Sequence, residues 1–313
     1  MSFISNDTIT KLEKLLPESI HNQSVPKDVL GIIDDYIPKL NDKNIHQIVN
    51  DYLLFINDYG LLWHAEQIIN NYGSISNWDV SNVTNMNKLF FRKWNFNEDI
   101  SKWNVSNVTD MSYMFYFAKS FNQPLNDWNV SNVTNMIFMF NRAESFNQPL
   151  NDWNVSNVTD MSYMFYFAKS FNQPLNNWDV SNVTNMAGMF LSTLSFNQPL
   201  NKWNVSNVKN MVAMFGHLEK FNQTLNKWNV SNVTNLSYMF HYAKSFNQPL
   251  NNWNISNVTR MNYMFSEARS FNQPLNNWNV SNVTEMYRTF YMTRNFNIQE
   301  NAPWHFVSDN EII

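Results

Sequence analysis

Six histidines are the first residues to test for chemistry: His21, His46, His64, His217, His241 and His305. A structural or catalytic metal needs three or four ligands converging at short, characteristic spacings. No two of these histidines have that spacing, and His217 and His241 sit 24 residues apart in neighbouring units of a repeat. Asp127 and Asp152 each precede a tryptophan, 25 residues apart. Stacked carboxylates would perturb each other's protonation, but the position reads as a solvated outer face. A Gly-rich phosphate loop, a nucleophile elbow and an HExxH helix are all missing from the sequence. With no cysteine, thiolate metal sites, cysteine nucleophiles and disulfides are excluded. The expectation is a non-enzymatic chain with no catalytic, cofactor or metal residues and no small-molecule substrate.

Asparagine dominates the polar positions. N-V-S and N-V-T triplets recur through the chain, as at Asn104 and Asn107, and match the N-glycosylation pattern. They read here as polar ladder residues. The 313 residues carry a net charge of -4 with scattered lysines and arginines, so a nucleic-acid partner is not expected. Residues 1–20 show neither a basic start nor an apolar run, and no stretch approaches the length of a membrane span. A cytoplasmic or virion-associated chain is expected in preference to a secreted or membrane-inserted one.

What could position side chains is the repeat itself. Tryptophan recurs from Trp78 to Trp278 every 25 residues without insertion, giving nine coils, and the 24 residues from Trp103 to Asn126 return unchanged from Trp153 to Asn176. Within one unit, Leu125, Trp128 and Val130 fit a short strand. Ser131 to Thr134 are turn residues. Met111, Met114, Phe115 and Ala118 fall at helical spacing. Phe121-Asn122-Gln123-Pro124 leads back to the next unit. The predicted fold class is α/β: a leucine-rich-repeat-like solenoid over residues 72–297, with a strand and a short helix per coil. Asn132, Asn157 and Asn182 should form a ladder at the turn.

Residues 1–71 are expected to be an α-helical N-terminal region and cap, with helices over 6–16, 27–37, 45–56 and 61–71. Residues 298–313, including Trp304 and Phe306, are expected to close the other end.

The string WNVSNVTNM, followed by MF, A and FNQPLN, resembles the BspA-like leucine-rich-repeat surface proteins, in particular their mycoplasma lipoprotein-type repeat of unknown function. The resemblance covers about residues 72–297. It implies a right-handed solenoid used for adhesion or protein recognition, with relatives in bacteria, protists and giant viruses, and carries over no catalytic residue. The Asn, Ile, Phe and Tyr richness fits an AT-rich genome, bacterial or viral.

Comparing the repeats with one another, inward columns hardly change while the other positions of the predicted helix vary. The variable positions hold Tyr113, Tyr116, Phe117, Phe138, Tyr163, Tyr166, Phe167, Tyr238, Tyr242 and Tyr263. Exposed aromatics that also hydrogen-bond are typical of interface hot spots; the same rings could instead pad the layer between coils. The expected function is a scaffold binding a protein partner through these columns. Alternatives are a self-associating component of a virion or surface layer, and an F-box-like adaptor suggested by the spaced aliphatics of residues 24–38.

Overall fold

The computed structural model describes residues 39–57, 68–69 and 71–305. Regular helix there is confined to α1 (Ile45–Asn57), residues 68, 69, 71 and 72, a single 3₁₀ turn (Ile75–Asn77) and α2 (Ile298–Asn301). No strand and no sheet form among the described residues. The α/β class with an α-helical cap region is therefore corrected to a stack of coils built almost wholly from turns. Of the predicted N-terminal helices, those over 6–16 and 27–37 and most of 61–71 lie outside the described residues, as do residues 24–38 and Phe306.

The amide bonds show why no helix forms at Met111–Ala118. The N–H groups of Met111, Tyr113, Phe115 and Phe117 donate to the carbonyls of Asn135, Ile137, Met139 and Asn141 in the next coil. Alternate amides close tight turns, with Met114 bonding to Met111, Tyr116 to Tyr113 and Ala118 to Phe115. A helix would require the former set for its own i→i−4 bonds. Space excludes it too. Phe115–Phe140 and Phe140–Phe165 centroids are 5.4 and 5.6 Å apart, whereas packed helices need about 8–10 Å between axes.

The predicted strand fails for a related reason. At Leu125–Val130 the backbone turns, with Trp128 N–H on Leu125 O, and a side chain makes the link between coils. From Trp103 to Trp278 each indole N–H donates to a carbonyl 28 residues earlier, as Trp153 to Leu125 and Trp178 to Leu150, both at 2.8 Å. Strand-type pairing is limited to single parallel bridges between coils, from Asn85–Asp110 to Arg260–Glu285.

The inward columns of Trp, Val, Met, Phe and Leu merge into one core running the length of the stack, with Trp178 3 % exposed and Phe165 and Met164 fully buried. Trp153, Trp178, Trp203 and Trp228 stack at successive centroid distances of 6.3–6.4 Å with nearly parallel rings. Polar ladders flank this core. Asn132, Asn157 and Asn182 donate their amides to the carbonyls of Ser106, Ser131 and Ser156 one coil back, so the ladder joins side chain to backbone and not amide to amide. A second ladder runs through the FNQ segment, where Asn122 Oδ1 accepts from the Asn147 N–H.

Side chains replace the missing coil at the first end. Asp42 Oδ1 accepts from the N–H groups of Thr84 and Asn85, and Oδ2 from the Thr84 hydroxyl. In every later coil the N–H at this position, of threonine or of Lys209, finds a threonine or lysine carbonyl of the preceding coil, as Thr109 does at Thr84. His46 Nε2 meets Asn87 O at 2.7 Å and must carry the proton there, standing in for a backbone amide such as Lys88 N, which bonds Ser112 O. On α1, Ile45, Val49, Tyr52 and Leu53 are buried at helical spacing, and Tyr52 packs edge-on against Trp78. At the far end Trp304 extends the tryptophan column, 6.0 Å from Trp278, with its indole on Leu275 O.

Candidate functional site

In place of the predicted helix, each coil forms a ridge with two left-handed residues four apart. Tyr113, Phe117, Phe138, Arg142, Tyr163, Phe167, Tyr238, Tyr242 and Tyr263 all have φ between 55° and 61°. For an L-residue that conformation costs roughly 1–2 kcal/mol, and asparagine tolerates it far better than a bulky ring. A chain that uses asparagine at most polar positions nevertheless places aromatic rings here. No glycine marks the ridge except Gly188, so the sequence carries no ordinary signal for it.

Facing outward, the rings stack in register. Tyr113–Phe138 and Phe138–Tyr163 centroids are 4.9 and 4.8 Å apart, Tyr238–Tyr263 4.9 Å, and Phe91–Tyr116 4.9 Å, all nearly parallel. The Arg142 guanidinium lies between Phe117 and Phe167, at 4.8 and 4.5 Å from their centroids. Tyr166 meets Tyr163 and Phe167 edge-on, and Tyr242 stacks on His217. Aromatic pairs contribute about 0.5–1.5 kcal/mol each beyond burial, enough to offset the backbone strain. Ring faces are thus largely engaged within the stack. The structure brings all ten sequence-predicted residues onto this ridge, nine half-buried and Tyr238 39 % exposed.

The column is broken once. At Gly188 an added Cβ would lie 2.4 Å from the Tyr163 ring, so that ring rests directly on the glycine backbone. Ala213 follows, leaving Tyr238 without a ring neighbour on that side and the most exposed of the ten.

Two features of the ridge escaped the sequence reading, and a third was seen there only as a pair of positions in neighbouring units. Trp94 is 61 % exposed, at a position held elsewhere by charged residues except at Leu194, with Lys119, Glu144 and Lys169 forming an ion-pair ladder; a tryptophan breaking a mostly charged column was the available signal. Asn141 stands between Tyr116 and Tyr166 in its column, 1 % exposed, with no hydrogen bond to either amide atom. The third is a histidine pair. His217 and His241 rings pack edge-on at 5.2 Å. Burial, reinforced by the neighbouring His217, pushes His241 down to about 4, against the pull of the Ser266 carbonyl and Glu267; burial lowers His217 as well.

No three His, Asp or Glu side chains come together to hold a metal ion among the described residues. Asp127 and Asp152 are exposed, and Asp152 accepts from the Asn126 amide. No helix among the described residues is long and apolar enough to cross a membrane. The geometry offers ring edges, hydroxyls and an exposed tryptophan along one face, the makings of a contact surface.

No curated protein matches the chain. A family model described as "Mycoplasma protein of unknown function, DUF285" matches three times in tandem, over residues 63–174, 148–235 and 222–310. The matched segments contain all nine tryptophan-marked coils, and the chain belongs to this family of mycoplasma-type tandem repeats.

Proposed function

We propose that this repeat scaffold binds a protein partner along the left-handed ridge. The observation that carries the reading is the choice of Tyr and Phe at backbone positions where Asn is the cheaper residue, in a chain rich in Asn. Stacking between coils offsets the strain but does not select tyrosine over phenylalanine. The hydroxyls of Tyr113, Tyr163, Tyr238 and Tyr263 add hydrogen-bonding capacity along the ridge. Because residues 103–126 and 153–176 are identical, they present the same chemistry twice. An extended or multivalent partner would gain avidity from both. The resemblance to BspA-like surface repeats, used in adhesion, agrees with such a role.

The test is capture from cells that express the chain, comparing wild type with a Tyr113→Ser/Tyr163→Ser/Tyr238→Ser variant shown to be folded. Loss of a defined captured protein with the variant supports the reading. An identical captured set from both proteins contradicts it.

A further inference from the structure

We propose that the two ends of the stack are complementary to each other, so that a second copy adds head to tail, its first coil on the ninth coil of its neighbour, and that Asp42, His46 and α1 are the stop that prevents it. This concerns the ends and does not rest on the ridge as a recognition face.

The stack is polar. Within each ridge the N–H groups point toward the next coil and the carbonyls toward the preceding one: Met86, Phe90 and Arg92 donate to Asp110, Met114 and Tyr116. On the ninth coil the corresponding amides of Met286, Phe290 and Met292 have no acceptor among the described residues. On the first coil the carbonyls of Asn85, Leu89 and Phe91 have no donor among them. The 25-residue register pairs these groups one to one across a head-to-tail contact. Ser281 O, likewise open, would receive the Asn82 amide, as Ser81 O receives that of Asn107.

Apolar surface follows the same division. Val80, Val83 and Met86 are fully buried at the first end, whereas Val280, Val283 and Met286 are only partly buried at the ninth. α2 and Trp304 cover the Leu275 and Trp278 side of that end. A face with a donor row cannot pair with its own copy about a two-fold axis, because donors would meet donors. Its complement is the carbonyl row of another first coil, the interface already repeated inside the chain. Such a heterologous contact does not close and builds filaments. Unpaired edges of this kind are what proteins ordinarily block, and Asp42 and His46 occupy the hydrogen-bonding positions of the missing coil.

The experiment uses the full chain with Asp42→Ala, His46→Ala and Tyr52→Ser combined, followed by light scattering over a hundredfold concentration range and by electron microscopy. The expected result is a mass that climbs with concentration, threads one chain wide, and return to single-chain mass when Val283→Arg is added. A folded triple variant that stays at single-chain mass overturns the proposal. So does growth that Val283→Arg leaves unchanged, since that would be lateral association. If the triple variant does not fold, Asn85→Cys and Glu285→Cys are placed in a chain carrying the milder Asp42→Asn, His46→Gln and Val49→Ala, which loosen the same stop. Both cysteine positions are exposed and the native chain has no cysteine. A ladder of disulfide-linked multimers on oxidation is expected; monomer alone would overturn the proposal.

Discussion

The same kinds of ring do two different jobs on opposite sides of the coil wall. Inside, Phe115, Phe140 and Phe165 repeat unchanged, fully buried and stacked. Outside, the ridge stacks rings at similar or closer spacing, yet its residues vary from tyrosine to glycine, alanine, histidine and arginine, and its tyrosine and phenylalanine rings stay partly exposed. Stacking alone therefore does not fix a residue type. Enclosing a large ring on all sides does, because such a column tolerates neither cavity nor bulk, whereas the equally buried Ala118 column admits Thr193 and Leu218.

That contrast can be broken in several ways. Trp178→Ala in a central coil should cost roughly 3–5 kcal/mol by large-to-small truncation, because it removes both packing and the indole bond to Leu150 O; a loss under about 1 kcal/mol in chemical denaturation would place tryptophan outside the core. Gly188→Ala tests the one point where the ridge dips. It adds left-handed strain and drives a Cβ into the Tyr163 ring, and a loss of about 2 kcal/mol is expected. No loss would show that the ring is free to move aside. Asn157→Ala removes the amide bond to Ser131 O and should lower stability by about 1 kcal/mol.

Asn141→Leu runs the other way. A buried amide without partners is a cost of about 1–3 kcal/mol, and leucine already occupies the same column at Leu191. A rise in Tm is expected. A fall would mean that the amide is satisfied in solution.

The smallest effect concerns pH. His241 has a folded-state value near 4 against an ordinary 6.5, so the fold prefers the neutral ring. Its contribution is fully present above about 6.5 and is lost as pH falls toward 4. Tm should decline across that window, and His241→Leu should flatten the decline; an unchanged slope would remove His241 as its source. Asp42 acts lower still. Burial alone would raise its carboxyl, but the Thr84 hydroxyl, the Asn85 and Thr84 amides and nearby His46 outweigh that and hold it below its usual value.

Much of the interior was legible in the sequence because side-chain identity recurs with the period. Leu125, Trp128, Val130, Val133, Met136 and Phe140 all face inward as the columns require. Secondary structure was legible at the first end, where the helix expected over 45–56 is α1, but not within the coils. Met111, Met114, Phe115 and Ala118 share a face at helical spacing, but successive turns put the same four residues inside, and periodicity cannot distinguish the two. Coil spacing, the physical quantity that decides, is a property of the stack and is not written in any one coil. The left-handed ridge was hidden because its usual marker, glycine, is present only at Gly188. The asparagine ladder was half legible: Asn132 and its equivalents do link coils, but through serine carbonyls.

The most direct test of recognition by the ridge measures one variant, Tyr163→Ser, twice, for stability and for partner capture. A stability loss under about 1 kcal/mol, as for a partly exposed side chain, together with lost capture, is the predicted result. A loss of the size of Trp178→Ala with capture unchanged would contradict it and make the outer rings padding between coils.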